Sequence, residues 1–156
     1  MKLSKKIYLD TSVPSAYYDN EKPERQEQTK EFWKNLKNQE VFISELVENE
    51  LGQVEDDDFK RKLLNLVSKY KVLKVNKEVE NLANEYMKEK IIPERFRNDA
   101  LHIAVAVVNN VKFLISWNFK HLVNIKTRHM VNLVNIKKEY GNVEIIAPPE
   151  LPAEGG

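Results

Sequence analysis

The chain has 156 residues, 42% of them hydrophobic, and its 25 basic and 24 acidic side chains leave a formal net charge of +1. These figures fit one compact domain with a real core and exclude the large positive excess of a protein that coats nucleic acid. With no cysteine there is no disulfide framework and no thiolate metal site, so any metal would be held by oxygen or by the three histidines.

Residues 1–6 are basic but lead into an apolar run too short for a signal peptide. No later run approaches membrane-spanning length, so a soluble, cytoplasmic protein is expected. That first run, 7–9, reads as a strand, followed by Asp10-Thr11-Ser12-Val13-Pro14, where Ser12 can cap a helix whose backbone angle Pro14 presets. An amphipathic helix is predicted over 23–39, with Phe32, Trp33 and Leu36 at core spacing, then a strand over 41–43. Ser44 is placed to cap a helix to about 54, and 57–70 carries another with Phe59, Leu63, Leu64, Leu66 and Val67 on its apolar face. Asp56-Asp57-Asp58 is its acidic start, which offsets the helix dipole.

A strand over 72–75 and a helix over 77–90 come next, until Ile92-Pro93 breaks the pattern. The segment 99–108 is almost continuously apolar, which predicts a central helix with Asn98 as its cap. Strands over 113–115 and 143–146 complete the set. Strands alternating with helices imply an α/β fold with a parallel sheet of four to five strands covered on both faces. One domain is expected over 1–147, with the proline- and glycine-rich 148–156 leaving the core as an extended tail.

Isolated carboxylates stand out against this background, because burying one is costly unless a cation or hydrogen bonds compensate it. Glu50 falls within the stripe formed by Leu46, Val47, Leu51 and Val54, whereas Glu45, Glu48 and Asn49 face elsewhere. Asp99 opens the most apolar helix. Asp10 sits beyond the carboxyl end of a strand, where sites in parallel sheets gather. Ser116 and Asn118 follow the run 113–115 in the same way, and Asn118 offers a neutral carbonyl oxygen. Oxygen donors of this kind point to Mg2+ or Mn2+.

Asp10-Thr11-Ser12, Ser44 followed by Glu50, Asp99-Ala100-Leu101-His102-Ile103-Ala104 and Ser116-Trp117-Asn118-Phe119-Lys120-His121-Leu122 together resemble the PIN-domain ribonucleases, over about residues 6–146. That family includes the VapC-type toxins of toxin–antitoxin pairs. The resemblance implies a PIN-like α/β fold and makes Asp10, Glu50 and Asp99 the acidic ligands of Mg2+ or Mn2+ in RNA hydrolysis. It implies that Ser12 and Ser116 orient ligands or bound water, with Asn118 contacting a water or a second, weaker ion. Many members carry aspartate, often as Thr-x-Asp, where this chain has Ser116-Trp117-Asn118. The swap removes one negative charge.

His102 shares a helical face with Asp99, yet a histidine within the apolar run 101–108 is more often a hydrogen-bonded core residue. Lys120, His121 and Arg128, with Lys126 and His129, offer a basic rim for RNA or a charged face turned to water. The expected function is a metal-dependent endoribonuclease, the toxin of a type II toxin–antitoxin pair, with an antitoxin partner, a homodimeric state and no membrane association. The alternative is a catalytically weak PIN-like module that binds RNA or protein, motivated by Asn118. A phosphatase or deoxyribonuclease using the same carboxylates is a third reading.

Overall fold

A computed structural model describes residues 4–152. Strands β1 (Lys6–Leu9), β2 (Glu40–Ser44), β3 (Lys71–Leu73), β4 (Phe113–Ile115) and β5 (Glu144–Ile146) form one sheet in the order β3-β2-β1-β4-β5. All four pairings are parallel, with Ile7 opposite both Val41 and Phe113. Parallel neighbours need crossover connections, which helices supply. These are α1 (Ser12–Tyr17), α2 (Pro23–Lys34), α3 (Glu45–Gly52), α4 (Asp57–Val67), α5 (Lys77–Lys88), α6 (Arg97–Val108) and α7 (Ile125–Lys137).

The chain leaves β1 toward β2 and β3, then returns through α5 and α6 to place β4 on the other side of β1. The carboxyl ends of β1 and β4 therefore flank the point where the winding reverses, the place where open α/β sheets bind ligands. Asp10 follows β1 there, and residues 116–118 follow β4. Ile7, Tyr8, Leu9, Leu114 and Ile115 are fully enclosed, because a central parallel strand is covered on both faces. Helix α6 is buried from Ala100 to Val107 and packs on α5 and β4. Its alanines let these neighbours approach closely.

Several details differ from the sequence pattern. Helix α2 stops at Lys34, and turns through Asn35 and Leu36 replace its last predicted residues while Leu36 still reaches the core. Helix α6 begins at Arg97, so Asn98 lies inside its first turn and does not cap it. Ser12 is the first residue of α1 rather than its cap, because its hydroxyl is engaged elsewhere. The run 148–150 does not leave the core as an extended tail. It forms a short 3-10 helix, Pro148–Glu150, packed against α2, with Pro148 buried and Leu151 on the core. Glu150 Oε1 accepts from the Ala147 amide at 2.9 Å and from Arg128 Nη2 at 3.1 Å. The remainder of the predicted tail, 153–156, lies outside the described residues. Among the described residues no helix is long and apolar enough to cross a membrane.

Candidate metal centre

Asp10 is 4% exposed, with its amide bonded to the Ile115 carbonyl at 3.2 Å, so the residue is pinned between β1 and β4. Its Oδ1 accepts from the Ser12 hydroxyl at 2.5 Å and the Ser12 amide at 3.1 Å, and its Oδ2 accepts from the Ser116 hydroxyl at 2.5 Å. Each serine oxygen accepts a backbone amide in turn, Ser12 from Trp117 at 2.8 Å and Ser116 from Asn118 at 2.9 Å. Both hydroxyl protons are thus committed to the carboxylate. Burial pushes the Asp10 carboxyl above its ordinary range, and the nearby charge of Asp99 adds to this. The proximity of His102 and the two serine bonds oppose the rise without cancelling it.

Glu50, the last residue but two of α3, is half-buried and accepts at Oε1 from Thr11 Oγ1 at 2.6 Å and from His102 Nε2 at 2.8 Å. Burial opposes its ionisation, but His102, Thr11 and Asn98 outweigh that and hold the carboxyl below its usual range. A carboxylate only accepts, so His102 Nε2 is the donor. The other ring nitrogen, Nδ1, lies 2.7 Å from Tyr8 Oη, which lies 2.8 Å from Ser44 Oγ. Ser44 also caps α3 by accepting from the Leu46 amide at 3.2 Å. A buried chain of polar groups therefore runs from the start of α3 through β1 and α6 back to Glu50. Burial first, then the charges of Asp10 and Glu50, keep Tyr8 a phenol by raising its pKa far above the ordinary value.

Asp99, in the first turn of α6, accepts at Oδ2 from His121 Nδ1 at 3.0 Å and from Asn118 Nδ2 at 3.3 Å. Asn118 Oδ1 is occupied by the His121 amide at 3.0 Å, and the His121 ring packs on Phe96 with centroids 4.1 Å apart. His121 is thus turned inward onto Asp99. Lys120 is exposed, whereas Arg128 is directed to Glu150. Thr11 and Tyr8 had no sequence signal as site residues. His102 had one, its spacing from Asp99, but its partner Glu50 lies on a distant helix.

Residues 7–126 match the PIN domain family model. The chain belongs to the PIN-domain family. No functionally curated protein matches it. The PIN fold is also that of a VapC toxin of Mycobacterium tuberculosis that cleaves the sarcin-ricin loop, at 19% identity and a TM-score of 0.58 over 74% of this chain and 92% of that one. A toxin–antitoxin complex from Klebsiella pneumoniae is similar at 14% identity and a TM-score of 0.61, covering 78% and 93% of the two chains. VapBC of Rickettsia felis, bound to promoter DNA, is similar at 19% identity and 0.57, covering 90% and 98%.

In this PIN domain, Asp99 is close enough for its charge to help raise the Asp10 carboxyl, and His102 links the environments of Asp10 and Glu50. Among the described residues no three His, Cys, Asp or Glu side chains stand close enough together to hold an ion as they are. Glu50 is drawn to Thr11 and His102, and Asp99 to His121 and Asn118. The donor chemistry nevertheless fits a hard divalent cation: three carboxylates, no thiolate, and a buried carboxyl whose ionisation a cation would favour.

Proposed function

We propose that this PIN domain is a metal-dependent endoribonuclease that hydrolyses RNA phosphodiester bonds, with Asp10, Glu50 and Asp99 holding Mg2+ or Mn2+. The observation that carries the reading is Asp10, a carboxylate buried at the reversal of the sheet and kept above its ordinary pKa despite two hydroxyl donors. When bound, a divalent ion polarises a phosphoryl oxygen and lowers the pKa of its water. Ser12 and Ser116 fix the two Asp10 oxygens by donating to them, so the carboxylate needs little reorganisation to act as a ligand. His102 sets the Glu50 carboxylate through Nε2, with Tyr8 and Ser44 holding the ring. Asn118 aligns the Asp99 carboxylate and the start of the turn that follows. Lys120 would meet the RNA backbone; His121 and Arg128 would do so only by leaving Asp99 and Glu150.

The same reading makes the protein the toxin of a type II pair, restrained by an antitoxin, and a homodimer in the cytoplasm. Its support is the fold shared with the toxin–antitoxin complexes. The test is cleavage of mixed RNA with manganese, with magnesium and with excess chelator, running Asp10→Asn in parallel. Single-stranded DNA and a phosphomonoester serve as competing substrates. Metal-dependent RNA cleavage lost in the variant is the expected result, and identical traces from both proteins would overturn the nuclease. Asn118, a neutral amide donating to Asp99, favours a second reading in which RNA is bound but barely turned over. RNA retention in chelator with no cleavage under either metal would select it.

A further inference from the structure

Among the described residues, the chain's six phenylalanines, six tyrosines and two tryptophans include one exposed ring, that of Phe119, at 48%. It lies in the turn that serves the carboxylates. Trp117 donates its amide to Ser12, which donates to Asp10, and Asn118 donates to Asp99. Phe119 is the next residue, held by its amide on the Trp117 carbonyl at 3.0 Å. The Trp117 indole is fixed by a 2.9 Å bond from Nε1 to buried Thr29 Oγ1, and Thr29 donates to the Arg25 carbonyl at 2.7 Å. The turn and α2 are thereby tied together. Arg25 makes no ion pair among the described residues. Its guanidinium carbon sits 4.9 Å from the Trp117 ring centroid and 5.8 Å from that of Phe119.

Together these groups border a surface depression of about 550 Å³, which Lys22, Pro23, Glu24 and Gln28 complete. We infer that Phe119 and Arg25, backed by the buried Trp117 ring, form a stacking site for an unpaired nucleobase of single-stranded RNA at the turn that follows β4. The inference deepens the nuclease reading and rests on it for the class of substrate. Flat aromatic and guanidinium faces are the surfaces on which splayed-out bases stack. The polar ends of Glu24 and Gln28 can bond a base edge, and Lys22 and Lys120 supply charge for the adjoining phosphates. A docked protein helix would want several aliphatic anchors. The lining has no leucine, isoleucine, valine or methionine among its described residues.

The experiment uses the full chain and a single-stranded oligoribonucleotide carrying 2-aminopurine, whose fluorescence falls when the base stacks. Binding is read in excess chelator, apart from cleavage. Wild-type protein is expected to quench the probe. Phe119→Ala should weaken binding on the order of ten-fold and abolish the quench, with Phe119→Trp restoring both; thermal melts confirm that the variants fold. Wild-type affinity and quench in Phe119→Ala would overturn the site, as would failure of the wild type to bind the oligonucleotide, or a Phe119→Ala loss confined to a protein partner. Cleavage of mixed RNA by the wild type reports separately on the nuclease. Cleavage present with Phe119→Ala binding unchanged overturns the stacking site alone, whereas a quench that depends on Phe119 without cleavage keeps the site and overturns the nuclease.

Discussion

Burial raises the Asp10 carboxyl even though Ser12 and Ser116 both donate to it. A carboxyl raised in the folded state contributes stability that is fully present below its unfolded pKa and lost as the pH climbs through its folded one. Above that folded value an ionised Asp10 therefore weakens the metal-free fold. Asp10→Asn keeps the volume and one acceptor, so in chelator it should melt higher than the wild type, by roughly 2–4 °C, while losing RNA cleavage and any metal-induced rise. A lower melting temperature in chelator would contradict the assignment. Glu50 carries the opposite sign: its depressed pKa gives stability present above the ordinary glutamate value and lost on acidification. Glu50→Gln should accordingly melt lower than wild type at neutral pH and converge with it in acid, as melts across that range would show. Asp10, unlike Glu50, is held at the expense of stability, as a side chain kept for function is expected to be.

At the scale of elements, the turn after β4 decides how much charge the site holds. Asn118 donates one amide proton to Asp99 and accepts the His121 amide at its carbonyl oxygen, so it both shapes the turn and offsets the Asp99 charge. In Asn118→Asp the carbonyl role survives, but an oxygen replaces the donor facing Asp99. The variant should melt lower than wild type in chelator and bind manganese more tightly, on the order of ten-fold for one added carboxylate. Titration with manganese followed by melting measures both, and unchanged affinity would place Asn118 outside the ion's reach. The strands here were legible because a buried parallel sheet needs short apolar runs, and Glu50 was legible because it interrupts a stripe. Helix α7 was not. It exposes Ile125, Leu133 and Ile136 while burying Thr127 and Asn135, so its apolar residues mark no single face. The link from His102 to Glu50 was equally hidden, since it joins α6 to α3 across 52 positions of sequence. The proline-rich end misled because the packing of Pro148 and Leu151 depends on a surface of α2 that composition does not describe.

Across the whole molecule, tyrosine hydroxyls join layers that the sheet alone does not. Tyr8 connects β1 to Ser44 and to His102 on α6, while Tyr86 on α5 donates to Asn135 on α7 at 2.5 Å. Tyr140 donates to Glu78 at the start of α5 at 2.7 Å, and Tyr70 packs on Trp33 of α2. Burial raises Tyr8 and Tyr86 far above the ordinary phenol value and Tyr70 to about 12, and for Tyr140 the bond to Glu78, then burial, does the same, to about 12. All four shifts have one sign. Each tyrosine gives stability that is complete below its unfolded pKa of 10.0 and is lost as the pH rises toward the folded values. Stability should therefore fall steeply from that pH to about 12, beyond what net charge alone would cause. Melts over this interval, with tyrosinate absorbance and circular dichroism recorded together, test it: the buried phenols should ionise only as native structure disappears. Full tyrosine ionisation in a chain that still shows its native spectrum would mean that these hydroxyls do not hold the layers together.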